Sequence, residues 1–384
     1  MSRARQTTSR LPFSTAFSTF VLNRSLLLTI NIYGEFLIHK WESKPNPASF
    51  MELHTDISCG FECDVNFSTN SSPVSFPKDS SQPIMRAALV DAFTQRYLPG
   101  NRRVPAQCLG VAPSQLVFEV YPDDTNYILS TGHWDGSVHV AMLDEFLSPN
   151  LPVLKIRQTL AAHPLPVTCM ALSESLFLTG SMDNTAMLWN VTYERKQMKI
   201  DPRPVYAICG HSAPLSAVAL SKALDIIVTA SEDGLLMIHQ LDLKRNRTRA
   251  VLRHQGAKVT RLVIASAGYI VCYSQGPRLL HCYSMNGTLL SEKSLFDGED
   301  SGEGLSQLLV SKNSRLVLCA EGSTIVFRCA PTLDIIHILY ADNKDSSIAS
   351  LKLSDDERVL FVGYKDGSLT FVTLPDWNSG DVDL

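Results

Sequence analysis

The chain has 384 residues, of which 45% are hydrophobic and 19% charged. That composition excludes a wholly disordered chain. The net charge of −4 excludes a strong global basic field for nucleic acid or an anionic membrane.

Residues 1–34 contain no Asp or Glu and carry Arg3, Arg5 and Arg10 among Ser and Thr. This is the composition of a mitochondrial transit peptide, which stands as an alternative to a cytoplasmic location. Asn23, Arg24 and Asn31 interrupt the apolar stretches, so no window of about 18 apolar residues is available to span a bilayer. We expect a tail over 1–12 and the first strands from residue 13. The segment Leu26 to Ile38 reads as two apolar strands around a turn at Gly34. Residues 42–113 follow, polar and rich in Ser, Pro and Asn, and read as a long inserted, mostly flexible loop.

From residue 116 one pattern recurs: an apolar strand, then a strand pair around a turn that carries Asp or Gly. The strand pairs run Tyr127 to Val140, Leu176 to Trp189, Ile226 to Ile238, Tyr269 to Leu280, Leu316 to Phe327 and Val359 to Val372. Their turn residues are Asp135, Asp183, Asp233, Gly276, Gly322 and Asp366, at intervals of 48, 50, 43, 46 and 44. A period of about 40–50 with short β-branched strands is that of a four-stranded propeller blade. No long apolar pattern of period 3.6 is visible, which argues against a helical repeat. With the early copy the count is seven, so the expected fold is an all-β, seven-bladed β-propeller over 13–377, with 42–113 inserted between blades one and two. Residues 378–384 are expected to form a tail. Closure requires one chain end to share a blade with the other; the sequence does not say which end supplies the outer strand.

His163, Thr179 and Asp183 invite a hydrolase reading. Trp189 belongs to the same repeat, however, and the next repeat carries His211, Thr229 and Asp233, with His239 in place of the tryptophan. Catalytic groups have no reason to recur blade after blade. A chain of hydrogen bonds from indole through hydroxyl and imidazole to carboxylate does, because it satisfies buried polar groups and ties strands together. These residues are therefore expected to be structural, with no catalytic residue and no cofactor. Nucleotide-binding and hydrolase signatures such as GxxxxGK[ST], GxGxxG, HExxH and GxSxG are absent. The nine cysteines include one close pair, Cys59 and Cys63, without a second pair or matched histidines, so no metal is expected. For a partner surface we single out His133 and Trp134 and the basic loop with Lys244, Arg245, Arg247 and Arg249. Four cations in six residues can meet phosphate or lipid headgroups, or simply be solvated.

The repeats resemble the WD-repeat superfamily, though only Met187 to Asn190 approaches its Trp-Asp ending. In order, Gly132 to Val140, Cys209 to Ser212, Tyr283 to Leu290, Asp356 to Gly363 and Gly367 to Leu369 resemble the C-terminal propeller of BEACH-domain proteins, the neurobeachin and beige-like anchor branch. The similarity runs from about Ser14 to Trp377. It implies a noncatalytic protein-interaction scaffold in vesicle trafficking and membrane-protein sorting. Its partners would be proteins, including a BEACH domain in cis if the chain is a fragment. Peripheral membrane association would fit, without a transmembrane segment and without nucleic acid. In that family a PH-like and a BEACH domain precede the propeller, whereas here residue 1 lies close to the first expected blade. The expectation is thus a fragment or a free-standing propeller. Two alternatives remain. A ubiquitin-ligase substrate receptor would need a Trp-Asp-x-Arg element, which the blade ends lack. A propeller enzyme would need a cluster of carboxylates or histidines near the central channel, for which the sequence provides no repeated candidate set.

Overall fold

The computed structural model describes strands between residues 6 and 40, strands between 113 and 142, and most of 156–374. Within the last range 174, 195–196, 243–246, 255–256, 296–303, 341–345, 354–356, 358 and 365–367 are outside the description. The expected loop 42–113 lies outside the described residues, except that Pro113 opens the strand Pro113–Val120.

The described strands form seven antiparallel sheets. The second sheet is typical. It orders Pro113–Val120, Tyr127–His133, Ser137–Met142 and Ile156–Ala161 from the centre outward. The innermost strands are Ala16–Asn23, Pro113–Val120, Val167–Ser173, Leu215–Ser221, Val259–Ile264, Leu305–Val310 and Ile348–Leu353. Each touches the next, and Ala16–Asn23 touches Ile348–Leu353, so the sheets form a closed ring. The architecture is a β-propeller.

The expected tail 1–12 needs correction. Gln6–Arg10 is a strand, paired antiparallel with Ser368–Thr373 from Gln6 opposite Val372 to Arg10 opposite Ser368. The amino-terminal end therefore supplies the outer strand of the last sheet. The physical gain is that Ser368–Thr373 no longer presents an unpaired edge.

The second strand of each unit is the most apolar because both of its faces are covered. Leu176–Ser181 is buried at every position. Leu176 and Leu178 pack with Leu188 of their own sheet and with Leu215 and Ile227 of the following unit. Phe177, one residue between them, points the other way and packs with Val138, Val140 and Leu160 of the preceding unit. The same division holds at Ile270 and Cys272 against Val271 and Tyr273. The core is thus a series of layers between neighbouring sheets. A strand in this position cannot show the in–out alternation of a half-exposed sheet.

Polar links lace the centre of the ring. Thr168 Oγ1 donates to Leu215 O at 2.7 Å, and Ser216 Oγ donates to Val259 O at 2.6 Å. Arg261 Nε donates to Ser306 O at 2.8 Å, and Gln307 Nε2 to Ala349 O at 3.2 Å. A side chain near the start of one inner strand thereby satisfies a carbonyl of the next, where no sheet hydrogen bond is available. The tight turns hold incoming loops just as closely. Gly234 sits at φ +81°, and a Cβ there would lie 2.1 Å from His254 O. Only glycine combines that backbone conformation with that approach. His254 N in turn donates to Gly234 O at 2.8 Å.

Candidate functional site

The side chains singled out in the third sheet converge between its inner loop and its turn. The indole N–H of Trp189 donates to Thr179 Oγ1 at 3.0 Å. Thr179 Oγ1 lies 2.8 Å from His163 Nε2, and His163 Nδ1 lies 2.9 Å from Asp183 Oδ2. A donor-only indole at one end and an acceptor carboxylate at the other assign the direction. The Thr179 hydroxyl donates to Nε2, and Nδ1–H donates to the carboxylate. Asp183 also accepts from Thr185 N at 2.9 Å and from its hydroxyl at 2.7 Å. Burial lowers the His163 pKa, with Asp183 pulling the other way. Partial burial acts upward on Asp183, but the hydrogen bonds from Thr185 and His163 outweigh it and the carboxyl ends below its ordinary value. Neutral imidazole and ionised carboxylate fit the assigned polarity.

The fourth sheet builds the same cage with a different wiring. His211 Nε2 lies 2.8 Å from Thr229 Oγ1. Asp233 is not bonded to His211 directly, as a plain copy of His163 and Asp183 would require. Ser231 stands between them, with its Oγ 2.9 Å from His211 Nδ1 and donating to Asp233 Oδ1 at 2.5 Å. The Asp233 carboxylate also accepts from Ser212 Oγ at 2.6 Å and from Leu235 N at 3.1 Å. His239 takes the place of Trp189, its Nε2 3.3 Å from Thr229 Oγ1 and its Nδ1 3.3 Å from Thr248 Oγ1.

The next two sheets keep the positions and change the chemistry, which the sequence reading missed. Strand pairing aligns Thr179, Thr229, Cys272 and Cys319, and also Trp189, His239, Tyr283 and Arg328. In the fifth sheet the incoming histidine is His254. Its Nδ1 is 3.2 Å from Ser274 Oγ, and its Nε2 is 3.3 Å from the Tyr283 hydroxyl and 4.0 Å from Cys272 Sγ. His281 lies against it, with ring centroids 4.4 Å apart. In the sixth sheet Arg328, 2% exposed, donates through Nη1 to Leu333 O and through Nη2 to Ser294 O, each at 3.0 Å. Its Nη2 also stands 3.7 Å from Glu321 Oε1. The signal was available as equal spacing from the strand starts, but a search for repeated residue types passes over it.

The expected partner surface is described only in part. Trp134, Lys244 and Arg245 lie outside the described residues. His133 ends Tyr127–His133 at the turn between second and third strands, the ring face that carries the His163–Asp183 contact. Arg247 opens Arg247–Arg253 at the turn between third and fourth strands, at the opposite ends of the strands. Antiparallel connectivity puts successive turns on opposite faces, and the backbone thus places His133 and Arg247 on opposite faces of the ring. Arg249 is exposed on the outer strand. Cys169, Cys209, Cys272, Cys282, Cys319 and Cys329 are free thiols, while Cys59 and Cys63 are outside the described residues. Among the described residues no helix is long and apolar enough to cross a membrane.

The model of the neurobeachin beta propeller domain matches residues 101–376. BEACH domain-containing protein B of Arabidopsis thaliana is 29% identical over 72% of this chain, which corresponds to 10% of that protein. BEACH domain-containing protein lvsE of Dictyostelium discoideum is 27% identical over 55% of this chain and 10% of its own length. A putative neurobeachin homolog of Caenorhabditis briggsae is 30% identical over 53% of this chain and 8% of its own length. The chain thus spans about a tenth of the curated relatives it matches. The WD40 beta propeller domain of Doa1 superposes with a TM-score of 0.57 at 12% identity, over 97% of this chain and 96% of that one, and shares the fold alone. The order of repeats, the closed ring and the family match agree, and the chain belongs to the neurobeachin β-propeller domain family.

Proposed function

We propose that this propeller is a noncatalytic scaffold that holds protein partners in membrane-traffic assemblies, working in the cytoplasm and peripherally on membranes, with a BEACH domain among its contacts. The observation that carries the reading is that the His–Thr–Asp sets are consumed by internal bonds. His163, Thr179 and Asp183 are each committed to neighbours within the sheet. A general base with both ring nitrogens occupied has no lone pair for a substrate. The rigid ring leaves the loops and outer strands for recognition. Val251, Leu289, Ile335 and Tyr340 on successive outer strands are 52%, 48%, 44% and 55% exposed. Apolar side chains in such positions suit protein contacts better than solvent.

Proximity labelling with the full chain, compared with an unrelated propeller of the same size, tests the reading. We expect enrichment of vesicle-coat and sorting proteins over the control. Enrichment confined to ubiquitin-ligase adaptors would favour a ligase substrate receptor instead, and no enrichment over the control would overturn the scaffold role.

A further inference from the structure

We propose that His254, Cys272 and His281 form a buried zinc site in the fifth sheet. Their ligand atoms lie within 4.8 Å of one another, and all three residues are buried. Cys272 and His281 face each other directly across adjacent strands, and His254 enters from the loop before the inner strand. Three ligands from three separate segments thus converge without any short motif in the sequence.

An independent observation points to a ligand. His281 is 6% exposed, and its Nδ1 is buried with no hydrogen-bond partner among the described residues. Its other nitrogen, Nε2, stands 3.3 Å from Glu292 Oε2. A carboxylate there holds the proton on Nε2 and leaves a bare lone pair on Nδ1. That is how an outer carboxylate prepares a histidine to ligate a metal. In the third and fourth sheets the position of His281 is taken by Met187 and Met237, so the fold does not require a polar group there. Two imidazoles packed edge to face, one with an unanswered nitrogen, are an unfavourable core unless something accepts the lone pair.

The donor set selects the ion. Two imidazoles and a thiolate suit Zn²⁺ and exclude the hard cations that take oxygen ligands. Charge balances as well: the Cys272 thiolate and the Glu292 carboxylate offset two positive charges. At tetrahedral bonds of about 2.1 Å to nitrogen and 2.3 Å to sulfur, ligand pairs stand about 3.3–3.6 Å apart. His254 Nε2 and Cys272 Sγ, now at 4.0 Å, need only close by side-chain rotation. The Tyr283 hydroxyl lies 3.3 Å from His254 Nε2. Zinc would pin the incoming loop to two strands of its sheet, as the Thr179 and Thr229 hydroxyls do in the third and fourth. On binding, the Cys272 thiol releases its proton to solvent.

The test uses the full chain purified without a polyhistidine tag, loaded with Zn²⁺ and dialysed. We expect one retained zinc per chain, and in the Co²⁺-loaded chain a thiolate-to-cobalt charge-transfer band in the near ultraviolet. Cys272→Thr and His281→Met install residues that neighbouring sheets already carry at these positions, so both are expected to fold. Each should weaken zinc binding at least tenfold and abolish the band. The double variant Cys59→Ser/Cys63→Ser should keep both signals. Zinc retained equally by Cys272→Thr, or a wild-type chain without the charge-transfer band, would overturn the site.

Discussion

Trp189 and His163 meet on one oxygen atom, Thr179 Oγ1, at 3.0 and 2.8 Å. The three residues come from two neighbouring strands and the loop before the sheet, so a single hydroxyl joins three segments. Trp189 is 2% exposed and Thr179 fully buried. Replacing Thr179 by Val keeps the shape and strands both nitrogens, which costs roughly 2–4 kcal/mol. Thr179→Ser keeps the oxygen and should cost less than about 1.5 kcal/mol. Urea unfolding of the two variants separates them; equal midpoints would refute the shared-oxygen account.

The buried histidines predict an acid-sensitive fold. Burial lowers the pKa of His163 and His211, and in the zinc-free chain it also lowers that of His281 and takes His254 to about 4 with help from the neighbouring His281. The unfolded chain titrates near 6.5, so below that pH it binds more protons than the native state. Stability is therefore complete above about pH 6.5 and falls as the pH drops towards 4. His254 alone accounts for roughly 2–3 kcal/mol across this window. Asp183 adds to the loss at lower pH, because its native pKa lies below its ordinary value. Urea midpoints at pH 7.5, 6 and 5 should decline steadily, and an unchanged midpoint at pH 5 would contradict neutral buried imidazoles.

Arg328 and Glu321 carry opposite charges inside the sixth sheet. Removing one leaves the other in a medium that solvates it poorly. Arg328→Met should cost roughly 3–5 kcal/mol, and adding Glu321→Gln should restore part of it. Positive coupling in the double-mutant cycle is the expected result. Simple additivity would mean that the Arg328 bonds to Leu333 O and Ser294 O do all the stabilising.

Ring closure depends on Gln6–Arg10. Removing residues 1–10 exposes the edge of Ser368–Thr373. The melting temperature should fall by roughly 5–10 °C, from the lost backbone ladder. The bare strand edge should also promote self-association, visible by light scattering. A truncated chain that melts like the full one would show that the pairing contributes nothing.

The sequence by itself determined the repeat and the polarity of the third-sheet cage. A period near 45 residues, turns at Asp183 and Asp233, and doubly apolar strands such as Leu176–Ser181 are local properties, set by backbone and burial preferences of neighbouring residues. The inner strands begin where the apolar runs begin, as at Val167, Leu215, Val259, Leu305 and Ile348. Only the tertiary structure decided which chain end closes the ring, because Gln6 and Val372 have no local reason to meet. It also decided that Ser231 relays His211 to Asp233, a matter of a few ångströms that spacing does not encode. It set His133 and Arg247 on opposite faces, since face depends on strand direction and not on distance along the chain. Above all it brought His254, Cys272 and His281 together. Their residue types break the pattern of the earlier sheets, and only the cross-strand register, set by packing between layers, makes them neighbours.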